Sequence, residues 1–161
     1  MVRQPGTRWD PSVDRKITKR LREIVRQVGW QTISHIGEDG VRAVWLIAQH
    51  SPDIRFQKKC LEFFKKSMKR RGVSKKHIAF LTDRIRTREG KPQLFGTQFK
   101  VDKKTNKFVP FPIARQRDLD NRRIKYGLEP FEVYRQRFKN EDVPEFKKKF
   151  KRPRQHRTIG A

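Results

Sequence analysis

Cysteine is nearly missing from this chain: Cys60 is the one thiol in 161 residues. A disulfide framework and a Cys-rich zinc site are thereby excluded. No run of about 18 apolar residues occurs, so nothing reads as a membrane span. Residues 1–11 lack the apolar stretch that a secretory signal needs. Together these absences lead us to expect a reducing, intracellular and cytoplasmic setting. Acid is also scarce, with 17 Asp and Glu against 42 Lys and Arg and a formal net charge of +25. Apolar residues make up only 34%, yet 12 Phe and 3 Trp suffice for one modest core.

A charge excess of this size on a small body attracts polyanions and keeps copies of the chain apart. Nucleic acid, RNA or DNA, is the expected partner, because phosphate contacts dominate non-specific affinity. The cations are also clustered. Lys65, Lys66, Lys69, Arg70, Arg71, Lys75 and Lys76 follow one another without an acid. Lys147, Lys148, Lys149, Lys151, Arg152, Arg154 and Arg157 repeat the pattern near the end, and Arg84, Arg86, Arg88 and Lys91 form a third group. One such run is ordinarily a solvated face; three in one small chain favour phosphate binding.

Periodicity predicts a mainly helical fold. Residues 1–10 read as an irregular arm. A helix then begins at Ser12 as N-cap, with Val13, Ile17, Leu21, Ile24, Val25 and Val28 inward and Gly29 as its stop. Its other face carries Arg15, Lys16, Lys19, Arg22 and Arg26. Residues 41–50 are apolar nearly all round, which predicts a helix at the centre of the fold. Ser51 and Pro52 then open a helix running to about Arg71, with Cys60, Leu61, Phe64 and Met68 inward and Gly72 ending it. Ser74 caps the next helix, expected over 75–88 on Ile78, Leu81, Thr82 and Ile85.

After Gly90 and Pro92 the pattern changes. Residues 93–101 and 107–113 flank a turn-like 102–106, a β-hairpin whose second strand Pro110 and Pro112 confine to an edge. Short helices follow over about 115–126 and 129–139, separated by Gly127, and 141–161 reads as a basic tail without order of its own. The fold class expected is therefore mainly α with a small β-hairpin (α+β), a single compact helical domain over 11–140 with a basic tail.

Strong catalytic signatures are absent: no phosphate-cradling Gly-rich loop, no HExxH and no GxSxG elbow. No cofactor or metal is called for. Weaker signals remain. His50 ends the apolar helix and reads as a core histidine, or alternatively as a general base. Asp83 lies off the main apolar face beside Arg84, where a surface ion pair is the simple expectation. Gly96, Thr97 and Gln98 interrupt an aromatic strand, and the glycine suggests a bulge or the close approach of a ligand. Asp118 and Arg122 are spaced for a helix ion pair. Trp9, Trp30, Phe146 and Phe150 are candidates for stacking on bases, with Trp30 better suited to the core.

Several of these residues occur in an order that resembles a family. Gly29 and Trp30 come first, then Trp45, Leu46, Ile47, Gln49 and His50, then Phe56, Gln57 and Cys60. Ala79, Leu81, Thr82, Asp83 and Arg84 follow, with Gly90, Pro92, Gln93, Gly96, Thr97 and Gln98 after them, and Asp120, Arg122, Arg123, Gly127 and Leu128 last. This is similar to a bacterial family of uncharacterised domains whose members carry WLIxQH, AYLTDR and GxPQxYGTQ signatures, over roughly residues 20–136. The resemblance implies a mainly helical domain and a polar pocket formed by Gln49, His50, Gln57, Asp83, Arg84, Gln93, Thr97 and Gln98. Phe80 and Phe95 stand where the family pattern has tyrosine, and the basic clusters are additions to it.

Two functions follow as expectations. The first is a nucleic-acid-binding protein that grips the phosphate backbone largely without regard to sequence, in a ribonucleoprotein or packaged-DNA assembly. The second is an enzyme, a hydrolase or transferase, working through His50, Asp83, Arg84 and Gln98 on a nucleotide or nucleic-acid substrate.

Overall fold

The computed structural model describes residues 10–33, 35–68 and 73–138. The arm at 1–9, the basic residues Lys69, Arg70 and Arg71, and the whole tail lie outside them. So do Trp9, Phe146, Phe150 and the tail cations Lys147, Lys148, Lys149, Lys151, Arg152, Arg154 and Arg157.

Among the described residues, six α-helices and one hairpin make up the α+β architecture expected from the sequence. Helix α1 (Pro11–Ile33) begins one residue earlier than Ser12. Asp10 is the cap: its carboxylate accepts from the Ser12 amide at 2.8 Å and the Ser12 hydroxyl at 2.7 Å. Pro11 then occupies the first helical position, where its missing N–H costs nothing. Gly29, at φ 74° and ψ 162°, breaks α1 without ending it, and the chain resumes helical turns through Trp30.

Helix α2 (Gly37–His50) packs between α1 and the next pair. Helix α2 is central, as expected, but it is not buried all round, contrary to its apolar circumference. Val41, Val44 and Ala48 are buried, but Trp45, Leu46 and Ile47 are only half-buried and Ala43 is exposed. The same core extends to where α3 (Ile54–Lys66) meets α4 (Lys75–Arg88), around Cys60, Phe64, Ile78 and Leu81. A wheel reports periodicity, whereas burial also requires neighbours on both sides.

Asp53, not Ser51, caps α3, accepting from the Phe56 amide at 3.0 Å, while Ser51 Oγ accepts from the Asp53 amide at 3.1 Å. The helix stops at Lys66 rather than near Arg71, and Met68 is 44% exposed instead of inward. Helix α4 has the expected bounds, and Ser74 Oγ accepts from the Lys76 amide at 3.1 Å.

Strands β1 (Phe99–Val101) and β2 (Phe108–Pro110) pair antiparallel, Lys100 opposite Val109. Pro110 ends the ladder opposite Phe99. A parallel bridge between Gln93 and Ile113 extends the contact backwards. A single 3-10 turn (Gln116–Asp118) leads into α5 (Leu119–Lys125), and α6 (Phe131–Gln136) closes the described chain. Asp120 accepts from the Phe131 amide at 2.7 Å, fixing the start of α6. Ala79, Phe95 and Leu128 form a second, smaller core joining α4 to this hairpin-bearing half. Among the described residues no helix is long and apolar enough to cross a membrane.

Candidate functional site

Two arrangements concentrate polar chemistry. The first gathers most of the motif residues around Asp83. Its side chain is fully buried, not on the surface. Its two oxygens accept from the amides of Leu94 (2.6 Å), Phe95 (3.1 Å) and Thr97 (3.0 Å) and from the Thr97 hydroxyl (3.0 Å). Residues 93–97 form no regular ladder, so one carboxylate on α4 satisfies backbone donors that would otherwise be stranded. Burial pushes the Asp83 carboxyl above its ordinary range, and the Thr97, Leu94 and Phe95 donors pull it partly back.

Gln93 continues the same logic. Its side-chain amide donates to the carbonyls of Gln98 (3.0 Å) and Phe111 (2.9 Å) and accepts from the Gln98 amide (2.9 Å). Gln57, also fully buried, donates to the Ala48 carbonyl at 2.9 Å and accepts from Arg88 at 2.9 Å. Arg88 extends to the carbonyls of Ser51 and Pro52, binding the α2–α3 connection to α4. These polar motif residues thus hold backbone, where the resemblance implied a pocket.

Arg122 does likewise. Instead of pairing with Asp118 it donates to the carbonyls of Leu94 (2.9 Å), Ala114 (2.6 Å) and Arg115 (3.1 Å). Arg123, fully buried, donates to the carbonyls of Phe95 and Glu129. Its guanidinium also lies 5.0 Å from the Tyr134 ring and 5.6 Å from the Phe131 ring. Gly96 is where the chain passes under Phe131: at φ 67°, a Cβ there would sit 2.6 Å from the ring. The close approach expected at this glycine is therefore made by an aromatic side chain of the protein itself.

Of the four residues read as catalytic, Asp83 and Gln98 meet through Thr97, while the Arg84 side chain turns to Gln49. Gln98 donates to the Thr97 hydroxyl at 3.1 Å and so joins the Asp83 chain of hydrogen bonds. Arg84, the next residue on α4, donates to Gln49 Oε1 at 2.6 Å. Burial, and then the charge of Arg88, hold the Arg84 guanidinium below its usual pKa. His50 is exposed at the end of α2 and is no core histidine. Among the described residues no three His, Cys, Asp or Glu side chains are grouped as metal ligands.

The second arrangement is a groove between α1 and α3. It has three contiguous stretches of about 700, 470 and 440 Å³. Lys19, Arg22 and Arg26 project from α1, and Arg55, Lys59 and Lys66 from α3. Three acids, Glu23, Asp53 and Glu62, accompany these six cations. Arg22 and Asp53 pair at 2.9 Å across the groove. Lys19, Arg26, Arg55, Lys59 and Lys66 make no salt bridge among the described residues.

The floor is aromatic. The break at Gly29 turns Trp30 toward α3, where its ring stacks on Phe63 at 4.8 Å and lies 6.4 Å from Phe56. Phe56 and Phe63 are buried, while Trp30 is half-buried and lines both larger stretches. Of the expected basic cluster, Lys66 lines this groove, and Lys65, Lys75 and Lys76 are exposed. Arg55 and Lys59 were not singled out by sequence reasoning, which followed acid-free runs. Their spacing of four residues on α3 is the signal that identifies them, since it puts both on one helical face.

No curated protein and no solved structure matches the chain. A family match does extend over nearly its whole length. With residues 9–148 of 161 matched, the chain belongs to the family of unknown function DUF6624.

Proposed function

We propose that this protein binds nucleic acid through the phosphate backbone, in the groove between α1 and α3. One observation carries the reading: six cations from two helices converge on a concave surface with an aromatic floor. Five of them, all but Arg22, make no salt bridge among the described residues, so their charge is available to phosphates. Lysine and arginine at this density give affinity without base readout. The enzyme reading has less support, because the Asp83 carboxylate is enclosed and engaged by backbone donors.

The test is a titration of nuclease-treated protein against RNA and DNA at several salt concentrations. Five phosphate contacts give a log–log slope of about −3.5 on single strands, at roughly 0.7 per phosphate. A paired Arg26→Gln and Lys59→Gln variant lowers the magnitude of that slope by about 1.4. Binding that ignores salt, or a slope unmoved by the double variant, defeats the proposal.

A further inference from the structure

We infer that the groove takes a single strand, with an unstacked base lying on Trp30, and that it does not accommodate a duplex. This inference rests on the nucleic-acid reading above and narrows it. Trp30 stacks on Phe63 at 4.8 Å and more distantly on Phe56 at 6.4 Å, and, half-buried, it still lines both larger stretches of the groove. Nothing in a phosphate-gripping surface alone requires an indole there. A base in a duplex has both faces covered by its neighbours and offers only edges in the grooves. Only an unpaired base presents a π-face to an aromatic ring at the bottom of a concavity.

Size agrees with charge. The stretch of α1 from Lys19 to Gly29 is roughly 15 Å long at 1.5 Å per residue. The main cavity of about 700 Å³ falls within the range that encloses small ligands, about 300–1,000 Å³, which suits one or two nucleotides. A duplex is convex and meets such a groove only at its rim. Lys19 and Arg26 on one wall and Lys59 and Lys66 on the other flank the indole, so successive phosphates of one strand meet cations on both sides.

The experiment compares three RNA probes of equal length bound to the full chain by fluorescence anisotropy: a single strand, a duplex and an abasic single strand. The single strand binds about tenfold or more tightly than the abasic strand, as expected for one stacked base. It also outcompetes the duplex. Trp30→Leu removes the preference for bases and leaves the abasic affinity unchanged. Because Trp30 packs on Phe63, this variant is used only if its thermal melt is intact; the abasic comparison decides the matter without it. Equal affinity for the single and abasic strands, or for the single strand and the duplex, overturns this inference while leaving phosphate binding standing. Absence of salt-dependent binding to all three overturns the underlying reading too.

Discussion

Replacing Asp83 by alanine should remove a large part of the stability of this fold. Four donors lose their acceptor at once: the amides of Leu94, Phe95 and Thr97 and the Thr97 hydroxyl. A buried donor left unsatisfied costs about 1–3 kcal/mol, so the unrelaxed sum is roughly 4–12 kcal/mol. Relaxation of residues 93–97 and entry of water reduce this, and burial already disfavours the charged carboxylate. We expect a net loss of about 3–5 kcal/mol, against a total of about 5–15 for an ordinary domain. At about 3–4 °C per kcal/mol for a chain of this length, the thermal midpoint falls by roughly 10–20 °C. Circular dichroism melts and urea titrations measure it. Asp83→Asn does not rescue the loss, because its amide NH2 must face either Leu94 or Thr97, both donors; a loss of at least about 2 kcal/mol is expected. A loss below about 1 kcal/mol for Asp83→Ala would refute the claim that this carboxylate organises the loop. The folded fraction of either variant should keep the parent's salt slope on RNA, since Asp83 lies outside the groove.

Two further predictions concern the same packing. Gly96→Ala forces a Cβ to within 2.6 Å of the Phe131 ring at φ 67°, and should destabilise by about 1–3 kcal/mol, lowering the urea midpoint with an unchanged slope. His77 stacks on Trp45 at 4.4 Å, and burial first and the Arg42 charge second hold its imidazole below the ordinary 6.5. The folded chain therefore binds this proton less tightly than the unfolded chain: the contribution is complete above pH 6.5 and is lost as the pH falls below it. Thermal midpoints at pH 7.5 and 5 should differ less in His77→Phe than in the parent, and an unchanged difference would remove His77 as the cause.

Local signals and long-range ones differed sharply in how far the sequence disclosed them. Ser74 and the spacing of Ile78, Leu81 and Ile85 define α4 to the residue, because cap and apolar face are local properties. The hairpin was legible for the same reason, its turn at 102–106 lying between two aromatic runs. Asp83 was not. Its role depends on donors eleven to fourteen residues further on, in a segment without periodicity. Helix α2 misled through its composition as to burial on all sides, and Val13 and Ile17 on α1 continue an apolar stripe onto a surface that is 47% and 43% exposed. The cations of α1 could be read from its wheel. Joining them to Arg55 and Lys59 required knowing that α1 and α3 face each other across Trp30.

The engagement of Asp83 also has a kinetic side. Residues 93–97 form no helix or ladder, and irregular segments usually exchange their amide hydrogens with solvent quickly. Here three of those amides end on a buried carboxylate carried by a helix of the main core. Letting water reach them means withdrawing the carboxylate, and so disturbing α4 itself. Leu94, Phe95 and Thr97 should accordingly exchange at the pace of the α4 interior and not at that of a loop, as one cooperative unit with it.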